Sequence, residues 1–162
     1  TEVDGKDYFF VTTEIFKDKI NNGEFLEYQD VYGNMYGSTL ESVNTITTRG
    51  SDVVLEIDYK GMLAVKREIP QAISIYITPP SIDSLKDRLL KRGEDTEDVI
   101  NKRMASSVNE MAYAKYADYL VINDNYDDAL NILKGIILLN RINYRQLSNW
   151  TNYINKINKR IV

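Results

Sequence analysis

Apolar residues along this chain recur at two spacings, and the switches between them set the order of the elements. Tyr8 to Val11 is a strand-like aromatic run. Ile15, Phe16 and Ile20 then share one face of a helix that Thr12 or Thr13 can cap and Gly23 stops. From Gly23 to Thr39 two short strands are expected around a tight turn in Gly33-Asn-Met-Tyr-Gly37, since Gly and Asn tolerate the positive φ such turns need. Leu40, Val43 and Ile46 predict a helix over Thr39–Thr48, ended by Arg49-Gly50.

Beyond Gly50 the pattern becomes one of apolar runs separated by helices. Asp52-Val-Val-Leu-Glu-Ile-Asp58 reads as a buried parallel strand with acids at its end, and a helix follows from Met62 to about Glu68. Ala72–Thr78 predicts a second buried strand, closed by Pro79-Pro80. Ser81 is placed to cap a helix with Ile82, Leu85 and Leu89 as its stripe, which Gly93 breaks. Asp95 or Thr96 starts another helix, running to about Tyr116. Tyr119–Asp124 is a third strand, and Asp127 to about Ile142 an amphipathic helix. After a break near Ser148-Asn149, Trp150, Tyr153, Ile154, Ile157 and Ile161 predict a further short helix and a candidate dimer contact. Strands alternating with helices imply an α/β fold on an open parallel sheet, in which functional groups collect at strand C-terminal ends.

Composition removes several chemistries. With no cysteine and no histidine among 162 residues, thiol nucleophiles, His-based triads and Cys/His zinc sites are excluded. Any catalysis must run on carboxylates, Lys/Arg, hydroxyls and a magnesium ion held through phosphates. No apolar run approaches ~20 residues, so a cytoplasmic chain with no membrane partner is expected. The net charge of −4 is uneven: residues 139–162 hold five cations and no acid, leaving −9 for the rest (15 Lys and Arg against 24 Asp and Glu). An acidic body argues against nucleic-acid binding.

Two constellations carry candidate chemistry. Glu27 lies on the strand before the hairpin turn, with Tyr36 and Ser38 after it. One carboxylate facing two hydroxyls can accept two adjacent N–H donors while the hydroxyls hold an anionic oxygen; the same residues could also decorate a surface hairpin. Arg88, Arg92 and Arg103 lie on two helices joined by a short Gly-containing turn. Solvated helix faces would explain them, but guanidinium forks on a helical hairpin also suit a lid over a triphosphate.

Gly23-Glu-Phe-Leu-Glu-Tyr28 followed by Tyr32-Gly-Asn-Met-Tyr-Gly-Ser38 closely resembles the GMP-binding segment of guanylate kinases. Pro79-Pro-Ser81, Arg88-Leu-Leu-Lys-Arg92-Gly93 and Ile100-Asn-Lys-Arg103 resemble that family's lid. Leu55-Glu-Ile-Asp58-Tyr-Lys-Gly61, Asp4-Gly-Lys-Asp-Tyr8-Phe-Phe-Val11 and Val121-Ile-Asn123-Asp124 resemble three more of its segments, and the likeness runs in order from Glu2 to Arg141. The resemblance implies that Glu27 reads guanine, that Tyr8, Tyr36, Ser38 and Asp58 bind GMP, and that Arg88, Arg92 and Arg103 act on the transferring phosphates. It puts Asn123 or Asp124 beside the ATP base. Implied with these are ATP as co-substrate, Mg2+ carried by its phosphates, and a P-loop NTPase-like three-layer fold.

Within a single domain over 1–162, the resemblance implies a small mixed-sheet GMP-binding subdomain at 1–50 and a core at 51–80 and 108–142. The helical lid then falls at 81–107 and a helical extension at 143–162. One departure stands out: nothing matches the family's Gly-x-Ser-Gly-x-Gly-Lys-Ser phosphate loop, its first strand or the Ser-x-Thr-Thr-Arg-x-Pro-Arg segment. The expectation is a guanylate kinase lacking its first ~40 residues, inactive without that loop. A non-catalytic, phosphopeptide-binding module of the same fold is the alternative, and a kinase for another nucleoside monophosphate the third reading.

Overall fold

The computed structural model describes residues 2–31, 33–93 and 96–158, with side chains omitted at 145 and 153–158. The chain forms two compact units, Thr1–Ser74 and Ile75–Val162.

The first unit opens with a turn held by the Asp4 and Asp7 carboxylates, which accept from the backbone N–H groups of Phe10 and Val3. Tyr8 makes only an isolated bridge to Asp4, so the strand expected over Tyr8–Val11 does not form. Aromatic residues suit a strand, but here the Tyr8 carbonyl accepts from the Gly5 N–H inside the turn and no ladder continues beyond it among the described residues. Helix α1 (Thr13–Asn21) begins where Thr12 accepts from the Ile15 N–H and buries Phe16. Lys19 donates to Glu24 at 2.6 Å; this bond holds the Glu24 carboxyl below its ordinary range and the Lys19 ammonium above its own.

Strands β1 (Phe25–Val31) and β2 (Asn34–Thr39) form an antiparallel pair. The turn is shorter than its sequence suggested. Gly33, at φ 87°, supplies the left-handed residue and donates to Asp30 at 2.8 Å, so Asn34 to Gly37 already belong to the strand. Helix α2 (Leu40–Thr47) is capped by Thr39, and α3 (Tyr59–Glu68) by Asp58. Leu26, Val43 and Val65 make the core that these elements share.

The strand expected over Asp52–Asp58 is corrected to an extended segment without a ladder among the described residues. Its period of two survives: Val53, Leu55 and Ile57 pack on the core, whereas Val54 is 81% exposed. Alternation therefore produced the half-buried extended conformation, but a strand also needs a hydrogen-bonded neighbour.

In the second unit β3 (Ile75–Thr78) pairs in parallel with β4 (Tyr119–Ile122). Burial and the charge of Glu110 push the Tyr76 phenol up. Helix α4 (Ile82–Arg92) is capped by Ser81 and ends on Gly93 at φ 68°, in the left-handed conformation that stops helices cheaply. It packs against α5 (Glu97–Met111), which continues as a 3-10 turn through Tyr116. Helix α6 runs unbroken from Tyr126 to Asn158, so the break expected at Ser148-Asn149 is absent. Serine and asparagine lower helix propensity but, unlike proline, leave every backbone donor in place. Ile161 lies outside the described residues. No helix among the described residues is long and apolar enough to cross a membrane.

Candidate active site

The five residues expected to hold GMP all lie in the first unit, and four of them meet in pairs. Past the turn, the strands are in register with Gln29 opposite Tyr36 and Tyr28 opposite Gly37. Glu27 sits opposite Ser38 and Phe25 opposite Thr39, so Leu26 is an extra residue and the ladder carries a bulge there. Leu26 and Glu27 are consequently both buried, at 3% and 6% exposure, where a regular strand would turn one of them outward.

The Ser38 hydroxyl donates to Oε1 of Glu27 at 2.8 Å. A buried carboxylate must be hydrogen-bonded to remain charged at low cost. Its oxygens offer about four acceptor positions, and the serine uses one. The other oxygen, Oε2, faces the first turn of α3, so close to Gly61 that a Cβ built there would lie 3.2 Å from it. The hydroxyl-bearing strand is itself fixed by close approach. A Cβ on Gly37 would come within 2.8 Å of the Phe25 ring and 2.9 Å of the Glu27 carbonyl, and Phe25 stacks on Phe16 of α1 at 4.4 Å.

Tyr36 stands two residues from Ser38 on β2 and so shares its face. The ring of Tyr8 meets that of Tyr36 edge-on, with centroids 5.8 Å apart, and both are partly exposed. The Tyr8 ring therefore meets a residue on the face of β2 that carries Ser38. Asp58 behaves differently. Its Oδ1 accepts the Gly61 N–H at 2.8 Å, capping α3; such caps contribute about 1 kcal/mol. A structural duty therefore accompanies whatever role its carboxylate has toward a ligand.

The remaining expected residues lie in the second unit. Arg88 donates through one nitrogen to the Asn123 carbonyl at 2.7 Å and, less closely at 3.4 Å, to that of Asp124. It therefore ties α4 to the end of β4 and touches both residues expected on the adenine side. Arg92 occupies the last turn of α4 and Arg103 the middle of α5, on helices that pack together. Among the described residues there is no group of three or more acids placed to hold a metal ion. Two features escaped the sequence reading. The Leu26 bulge has no local signal, whereas Gly61 offered one: a glycine inside a helix costs stability and asks for a packing reason.

Comparison with known proteins gives the family of the chain. The guanylate kinase family model matches residues 1–139. A guanylate kinase of Carboxydothermus hydrogenoformans is 43% identical over 151 residues, 90% of this chain and 74% of that protein. That of Escherichia coli K12 is 46% identical over 142 residues, 87% of this chain and 68% of its own length. The crystal structure of guanylate kinase from Anaplasma phagocytophilum superposes with a TM-score of 0.69 at 27% identity, covering 85% of this chain and 67% of the other. Sequence and fold converge, and the chain belongs to the guanylate kinase family.

Proposed function

We propose that this protein transfers the γ-phosphoryl group of ATP to GMP, giving ADP and GDP. The observation that carries the reading is the buried Glu27 carboxylate, held by Ser38 on the bulged face of the hairpin. Guanine presents N1–H and the N2 amine side by side, a donor pair that one carboxylate accepts through both oxygens. Ser38, Tyr36 and Tyr8 offer hydroxyls to the pocket and the GMP phosphate, and Asp58 closes the site at the start of α3. Arg88, Arg92 and Arg103 neutralise the phosphate oxygens as charge moves in the transition state, the main protein contribution to this chemistry. Asn123 and Asp124 lie on the ATP-base side. Magnesium enters as an ion carried by the ATP phosphates, and no step is assigned to protein ligands for it.

In this reading 1–50 is the GMP-binding subdomain, 81–107 the lid, 51–80 with 108–142 the core, and the enzyme works in the cytoplasm on free nucleotides. A coupled ADP-release assay of the full-length protein tests it. Turnover with GMP and little with AMP is the expected result; comparable use of both would overturn the assignment.

Helix α6 supports one further element of this reading, a homodimer. Ile142, Leu147 and Trp150 are exposed on it, at 43%, 67% and 61%. Sedimentation at the dimer mass is expected, and a monomer at micromolar concentration would remove the proposal.

A further inference from the structure

Gly61 is a glycine without an obvious backbone reason. It sits at the third position of α3 and is buried, and its φ is not in the left-handed region that five other glycines occupy. At such a position alanine would favour the helix by about 1 kcal/mol. Space explains the exception. A Cβ on Gly61 would lie 3.0 Å from Cβ of Ile57, 3.2 Å from Oε2 of Glu27 and 3.4 Å from Cδ1 of Ile57.

We infer that Gly61 is a specificity-determining positioning residue: its missing side chain is the room into which the Glu27 carboxylate settles. The inference rests on Glu27 being the guanine acceptor and adds what fixes its second oxygen. Ser38 fixes Oε1 from β2, and the bare first turn of α3 defines the place of Oε2. The helix end also favours a negative charge there, because its aligned peptide dipoles give it partial positive character. Of the atoms a methyl group would press on, the Ile57 Cβ is fixed to its backbone, and the carboxylate sits at the end of a flexible side chain. Glu27 therefore yields first. A shift of a few tenths of an ångström leaves the Ser38 bond within reach but spoils simultaneous acceptance from N1–H and the N2 amine.

The test measures binding of GMP and of IMP to the full-length protein and its variants by calorimetry. IMP keeps N1–H and lacks the amine, so the GMP-to-IMP affinity ratio reports two-oxygen recognition, and as a ratio it does not depend on the folded fraction. Gly61→Ala is expected to weaken GMP about tenfold, in line with the sensitivity of bound geometry to sub-ångström displacement, with a much smaller effect on IMP. Glu27→Ala is the reference arm and should abolish the preference. A preference lost in Glu27→Ala but intact in Gly61→Ala would overturn this inference alone. A preference intact in Glu27→Ala would overturn the reading of Glu27, and the role of Gly61 with it.

Discussion

Glu27→Ala should raise the KM for GMP about 100-fold or more while leaving that for ATP nearly unchanged. Two hydrogen bonds from guanine to a carboxylate, each worth roughly 1.5–3 kcal/mol, make that a conservative figure. The change should not unfold the protein, because it removes a buried charge rather than leaving one without its partner. Glu27→Gln separates charge from shape. Its amide oxygen can still accept from Ser38, but its amide nitrogen would face a guanine donor, so most of the defect should persist. Equal increases in both KM values would show that the residue supports the fold and does not read the base.

Arg92→Ala is expected to lower kcat about 100-fold, the usual effect of removing one preorganised donor from a developing negative charge. The KM for GMP should move little, since GMP recognition is assigned to the other unit. Arg88 makes an instructive contrast. Its guanidinium already bonds the Asn123 carbonyl, so its removal would loosen α4 from the end of β4 as well as take away a proposed phosphate ligand. A thermal shift should accompany the kinetic loss for Arg88→Ala. An unchanged kcat in Arg92→Ala would take that residue out of the mechanism.

What could be foreseen in this chain follows from how local each signal is. Thr12 and Ser81 each cap the helix that follows, and Gly93 ends α4, because a cap or a left-handed stop is written within four residues. Strands are relations between distant segments. Asp52–Asp58 has the composition of a strand and even its alternation, yet no described neighbour pairs with it. The Ser148-Asn149 pair reads as a stop, but two residues of modest helix propensity do not interrupt a helix of 33 residues. The site shows the same division. Glu27, Tyr36 and Ser38 were legible as one hairpin group. That Asp58 would spend an oxygen on a cap, or that a helical glycine would border the carboxylate, depends on packing between β1 and α3.

The bulge at Leu26 serves the core and the proposed site together. In a regular hairpin Leu26 and Glu27 would point to opposite sides; with the extra residue, Leu26 joins the cluster containing Val65 while Glu27 meets Gly61, one turn earlier on the same stripe of α3. Deleting a single residue here would restore an uninterrupted ladder but leave only one of the two positions facing inward. A design programme that idealised this backbone would have to give up either the buried Leu26 or the buried Glu27.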